Sequence, residues 1–176
     1  LLFADGDQDE RREWYVNSVQ IREGKLSDAE MIALGGPSAA GIPVVVPHTT
    51  VTGQWDFENG DLRATAGKAL AYFDGPTGTT ASKTTFGTCS SYGIPLINGQ
   101  DAHVMYVPGD TGPGSRNIGY VMTHGIKPNG GGTRVNQYTL IMDVLIGTTG
   151  AGAASMLQVT DPDVNQTDGD LFWQGS

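Results

Sequence analysis

The stretch VNQYTLIMDVLI, residues 135–146, decides how this chain is read. Tyr138, Leu140, Met142, Val144 and Ile146 alternate with Gln137, Thr139, Ile141, Asp143 and Leu145. A period of two is the mark of a strand, because successive side chains point to opposite faces of a sheet. One face is wholly apolar and the other mixed. That pattern predicts a central, buried strand of a stacked sheet, with Leu140, Met142 and Val144 closed off from water.

Working outward, further strand candidates are separated by turn residues. They are GQWDFE, LRATAG, ALAYFD, SKTTFGT, HVMYVP, IGYVMTH, ASMLQVT and DLFWQ. Between them lie Asn59–Gly60, Asp74–Gly75, Asn98–Gly99, Gly112-Pro113-Gly114 and Asn129-Gly-Gly-Gly, residues that supply the φ values tight turns need. The 26 Gly and 9 Pro are too many for a helical protein and show no collagen period, so the composition also favours an all-β fold. Near the start, Trp14, Val16, Val19 and Ile21 mark another strand, with a phase slip at Asn17–Ser18 that a bulge would absorb. SDAE, residues 27–30, is a capping box, and Gly35–Gly36 stops the short helix it opens near 27–34. Met31, Ile32 and Leu34 give that helix an apolar side. The sequence GGPSAAGIPVVVPH, residues 35–48, has the composition of a linker.

Net charge is −9, with no run of Lys or Arg, which excludes the basic face that nucleic acid demands and disfavours anionic lipid. No apolar run approaches the roughly 20 residues of a membrane span, so insertion in a membrane is not expected. Cys89 is the only cysteine, so internal disulfides and cysteine metal clusters are excluded, and a small buried side chain is the expected role. The chain opens in mid-strand character and is expected to be a mature or cut fragment.

The stretches GQWDFENGDLRATAGKALAYFDG, TTFGT and GYVMTHGIKPNGGGTRVNQYTLIMDVLI resemble the opening half of bacterial LamG-like jelly-roll domains, of the concanavalin A-like lectin/glucanase fold. SMLQVTDPDVNQTDGDLFWQGS continues that resemblance. Residues 1–36 resemble instead the closing strands and helix of such a module. The resemblance therefore implies a concanavalin A-like jelly-roll β-sandwich, incomplete or circularly permuted: 1–36 closing one module, 37–48 a Pro/Gly-rich linker, 49–176 opening another. Either the chain is an excerpt of tandem modules, or residues 13–22 pair beside the strand near 52–58, in the same chain or a neighbouring copy.

Three functions are consistent with this. The first is a non-catalytic extracellular or cell-surface module, structural, adhesive or glycan-binding, of bacterial origin. The second is an accessory domain of a secreted phosphoesterase or glycosidase whose chemistry lies elsewhere. The third is a self-assembling fibre subunit completed by strand exchange through residues 1–36. Related glucanases carry paired glutamates on one strand. Glu58 is the only glutamate in 49–176, which disfavours a paired-carboxylate glycosidase within this chain. Asp5, Asp7, Asp9 and Glu10 form a candidate calcium loop, since hard cations take several converging oxygens. Asp161, Asp163, Asp168, Asp170 and His124 form a candidate ligand rim, with His124 alternatively orienting the loop that follows it. The partners implied are a glycan, neighbouring copies or flanking modules. The three histidines lack zinc-site spacing. The abundant aromatics are read first as core and second as sugar-stacking surfaces.

Overall fold

The computed structural model describes residues 1–4, 12–44, 48–74, 79–109, 119–150, 152–159 and 171–175. It is mostly strand, and every strand pair is antiparallel. The elements are β1 (Arg12–Glu23), α1 (Asp28–Ala33), β2 (Thr50–Trp55), β3 (Ala71–Tyr72), α2 (Thr79–Lys83), β4 (Thr85–Thr88), α3 (Cys89–Tyr92), β5 (His103–Val107), β6 (Tyr120–Val121), β7 (Tyr138–Gly150), β8 (Ala153–Leu157) and β9 (Leu171–Gln174).

The larger sheet is organised around β1. Strand β7 follows one edge of β1 from Arg12↔Gly150 to Glu23↔Tyr138. The other edge is shared, with β5 pairing Trp14–Val16 and β2 pairing Val19–Glu23. Strand β4 pairs the far side of β5. The expectation that 136–146 is the central strand is therefore corrected. Among the described residues β7 pairs only with β1, and Leu140, Met142 and Val144 are half-buried against the core. The central strand is β1. The alternation in β7 reports which face is apolar and carries no information about which edges are paired.

The phase slip in β1 is a bulge, as its sequence implies. Val16 faces Val144 while Ser18 faces Asp143, so two residues of β1 oppose one of β7 at Asn17. The extra residue rephases the strand. Trp14 and Val16 before it, and Val19 and Ile21 after it, consequently point to the same core.

Residues 1–4 lie in the opposite layer. The backbone of Leu2 pairs with Tyr120 of β6 and with Leu157 of β8, which joins β3–β6 to β8–β9. Bonds from Leu2 N to Tyr120 O (2.8 Å) and from Phe3 N to Met156 O (3.1 Å) hold it there. The two layers meet in one core. Trp14, Val16, Val19, Ile21, Trp55, Met105 and Val107 come from the larger sheet, and Leu2, Tyr120, Ala154 and Leu157 from the smaller. The Phe3 ring lies 5.5 Å from Trp14 and packs edge-on to Tyr120 at 6.4 Å. The architecture is sandwich-like, and each fully buried large apolar side chain contributes on the order of 1.5–3 kcal/mol.

Helix α1 carries its capping box: Ser27 Oγ accepts from Glu30 N, and Glu30 Oε2 accepts from Ser27 N. Its apolar side does not face the core. Met31 is 40% and Ile32 79% exposed. A six-residue helix at the end of a strand is held by its cap, and neither sheet face reaches it. LRATAG forms no strand beyond an isolated bridge from Ala66 to Gln54.

Candidate functional site

The outer face of β1 carries Tyr15, Asn17, Ser18, Gln20 and Arg22. On a solvated sheet these would be exposed, but all except the half-buried Tyr15 are buried. The cover is the Pro- and Ala-rich segment at 37–44, which is fastened to this face rather than spanning free space. Its carbonyls accept from the sheet: Ser38 O from Asn17 Nδ2 (3.1 Å), Ile42 O from Gln54 Nε2 (3.0 Å), Pro43 O from Arg22 Nη2 (2.7 Å) and Val44 O from Arg22 Nη2 (3.2 Å). Pro37 and Pro43 remove two backbone donors from this segment, and it is tied down through its carbonyls. Gly41 makes the approach possible. Its φ is +79°, and a Cβ there would lie 2.3 Å from Asp56 Oδ1.

Beneath this cover Asp56 accepts from Ser18 Oγ (2.6 Å), Thr65 Oγ1 (2.6 Å) and Gln54 Nε2 (2.9 Å). Every strong partner is accounted for, as a buried carboxylate requires. Arg22 is fully buried, and burial pushes its guanidinium pKa down.

Beside the cover the same face opens into a cleft of about 300 Å³. Its walls are apolar: Ile94, Pro95, Leu96 and Ile97 from the loop after α3, with Cys89, Val104, Val144 and Leu145. Its polar side chains are Asn17, Asn98 and Asp143, with Tyr15 at one end. The loop is set by α3, whose capping box joins Thr88 and Ser91 and whose C-cap Gly93 is left-handed. Cys89 is 1% exposed, as expected for a small packed thiol.

Asp143 is the one carboxylate of β7 and sits half-buried in this cleft. Burial pushes its carboxyl pKa up. The Ser38 N–H hydrogen bond opposes that, and the nearby Asp56 charge adds to it. Asn17 is 3% exposed, and its Oδ1 has no hydrogen-bond partner among the described residues. Tyr15 continues into a tyrosine cluster, with ring centroids 5.4 Å from Tyr92 and 5.2 Å from Tyr106. The Tyr106 hydroxyl donates to Glu13 Oε2, and burial together with the Glu13 charge holds its pKa up at about 12.

A second, more polar cavity of about 470 Å³ is lined by Ala39 of the covering segment with Glu58, Asp101 and His103. The Asp101 carboxylate there is held low, chiefly by the Ser90 N–H.

Of the residues predicted from sequence, Asp5, Asp7, Asp9, Glu10, Asp161, Asp163, Asp168 and Asp170 lie outside the described residues. His124 is half-buried, and its Nδ1 accepts from Ile126 N at 3.0 Å, the loop-orienting bond considered for it. It lines neither cavity described above. Gly130, Gly131 and Gly132 have φ of +72°, +92° and +87°, the tight turn expected of that glycine run. Among the described residues no group of three or more His, Cys, Asp or Glu is placed to hold a metal ion. No helix among them is long and apolar enough to cross a membrane.

Sequence reasoning missed the cleft. The available signal was Asp143, a lone carboxylate in an apolar run, together with the slip at Asn17. These two residues are 126 positions apart and meet only when β1 pairs with β7. No family model matches the chain, and no curated protein and no solved structure matches it significantly.

Proposed function

We propose that this chain is a non-catalytic carbohydrate-binding module of the concanavalin A-like jelly-roll type, working at the cell surface or outside the cell as part of a larger protein. The observation that carries this reading is the cleft on the outer face of the larger sheet, where apolar walls surround Asp143, Asn17 and Asn98. A cavity of this size lies at the lower end of small-molecule sites and suits about one sugar unit. Sugars present C–H faces to apolar and aromatic surfaces and hydroxyls to carboxylate and amide oxygens. Tyr15, Pro95 and Leu96 offer the first, and Asp143 with the two asparagines the second. The motif resemblance and the two-layer antiparallel sandwich support the same class. The module serves equally as an accessory domain of a hydrolase whose chemistry lies in other segments.

Calorimetric titration of the chain with a monosaccharide and oligosaccharide panel tests the reading. At least one sugar is expected to bind, and Leu96→Ala, at the exposed rim, is expected to weaken it about fivefold through roughly 1 kcal/mol of lost apolar contact. Absence of binding across the panel, or binding indifferent to Leu96→Ala, overturns it.

A further inference from the structure

The two asparagines of the cleft are both held by the covering segment. Asn17 Nδ2 donates to Ser38 O (3.1 Å) and Asn98 Nδ2 donates to Pro37 O (2.7 Å). Each carbonyl can only accept, so both amides are fixed in orientation: turning either one over would set two oxygens against each other. The covering segment thus takes up one N–H of each amide and fixes both Oδ1 atoms as acceptors. Asn17 Oδ1 is buried and has no partner among the described residues. A buried acceptor without a donor is costly, by about 1–3 kcal/mol, and is uncommon in native structures. Asp143 adds a half-buried carboxylate, with the backbone N–H of Ser38 nearby. The chain carries a net charge of −9, so the surrounding field also favours a cation.

We infer that the cleft selects a ligand bearing a protonated primary amine, held between Asp143 and the Oδ1 atoms of Asn17 and Asn98, on a body the size of one sugar ring. This rests on the carbohydrate reading for the body of the ligand, while the amine follows from the acceptor set alone. An ammonium has three donors and no acceptor, so it complements the Asp143 carboxylate and the two fixed amide oxygens. It also supplies the opposite charge that a half-buried carboxylate lacks. A neutral hydroxyl satisfies one acceptor at most as a donor and brings its own lone pairs against the others. An N-acetylated amine loses the charge and two of the three donors.

Titration calorimetry with glucosamine, glucose, N-acetylglucosamine and cyclohexylamine separates the possibilities. Glucosamine is expected to bind at least about tenfold more tightly than glucose or N-acetylglucosamine, and Asp143→Asn, which keeps the shape and removes the charge, is expected to erase that ratio. In the unaltered chain, carbon NMR of the Asp143 carboxyl should show its titration midpoint lowered by glucosamine and unmoved by glucose. Equal or tighter binding of glucose or N-acetylglucosamine overturns the amine inference and leaves the carbohydrate reading standing. Cyclohexylamine binding as tightly as glucosamine supports the amine and removes the sugar. A midpoint that glucosamine does not lower, or no binding of either amine, overturns the inference.

Discussion

The guanidinium of Arg22 and the carboxylate of Asp56 are joined head to tail by two glutamine side chains. Arg22 Nε donates to Gln20 Oε1 at 2.5 Å, Gln20 Nε2 donates to Gln54 Oε1 at 2.6 Å, and Gln54 Nε2 donates to Asp56 Oδ2 at 2.9 Å. All four residues are buried. One end of the row can only donate and the other can only accept, so the orientation of both amides is determined. The aligned amide dipoles carry the attraction between groups that are not in contact. The row also holds the covering segment that forms one side of the cleft.

Gln54→Leu should cost about 2–4 kcal/mol in urea unfolding, since it strips Asp56 of a charge-assisted bond and leaves a Gln20 donor unpaired. The pair Gln20→Leu with Gln54→Leu should cost less than the two singles added, because both singles break the same amide–amide bond. Strict additivity would show that the row does not act as a unit.

Deleting Asn17 should abolish cooperative folding. Without the bulge, Trp14 and Val16 rotate to the outer face while Val19 and Ile21 remain on the core, or the reverse. Asn17→Ala keeps the residue count. It should fold, because the loss of the bond to Ser38 O is offset by removal of the unpartnered Oδ1. A soluble, sharply melting deletion variant would refute the rephasing role.

Met105 and Met142 provide a test of which strand is central. Met105 is fully buried and Met142 half-buried. Met105→Ala should cost about 2–5 kcal/mol and Met142→Ala less than half as much, measured by the same unfolding titration. Equal losses would restore β7 as the central strand.

Gly41→Ala should destabilise more than Gly131→Ala, by at least about 2 kcal/mol. Both have positive φ, but a Cβ at Gly131 meets nothing within 4 Å, whereas one at Gly41 collides with the Asp56 carboxylate. The check is the difference between the two midpoints, together with proteolysis of the 37–44 segment, which should quicken only in Gly41→Ala.

Asp143 gives a pH signature. Burial, reinforced by Asp56, raises its folded pKa above the unfolded value of about 3.9. Within that window the folded chain holds more protons than the unfolded one, so this group's contribution to stability falls as pH rises. Asp143→Asn removes that penalty. The variant should gain on the wild type steadily as pH rises from about 4, and should melt at a higher temperature at pH 7. A melting difference that does not change between pH 4 and 7 would show that Asp143 titrates as it does in the unfolded chain.

Periodicity and turn chemistry made part of this protein legible. The alternation of 137–146, the slip at Asn17, the cap at Ser27 and the glycine turn at 130–132 each depend on residues within a few positions of one another, and each is found as read. The order of the strands is not local information. Glu23 lies opposite Tyr138, and nothing near either residue names its partner. The same limit hid the site. Gln20, Arg22 and Asn17 have the composition of a solvated face, and only the return of 37–44 over the sheet buries them and leaves Asn17 beside a cleft with Asp143. Sequence alone determined the faces of the strands, because side-chain alternation is a property of one strand. Tertiary structure decided the edges and the cover, because hydrogen-bond partners and burial are properties of two segments that lie apart in the sequence, by 21 residues for Asn17 and Ser38 and by far more for β1 and β7.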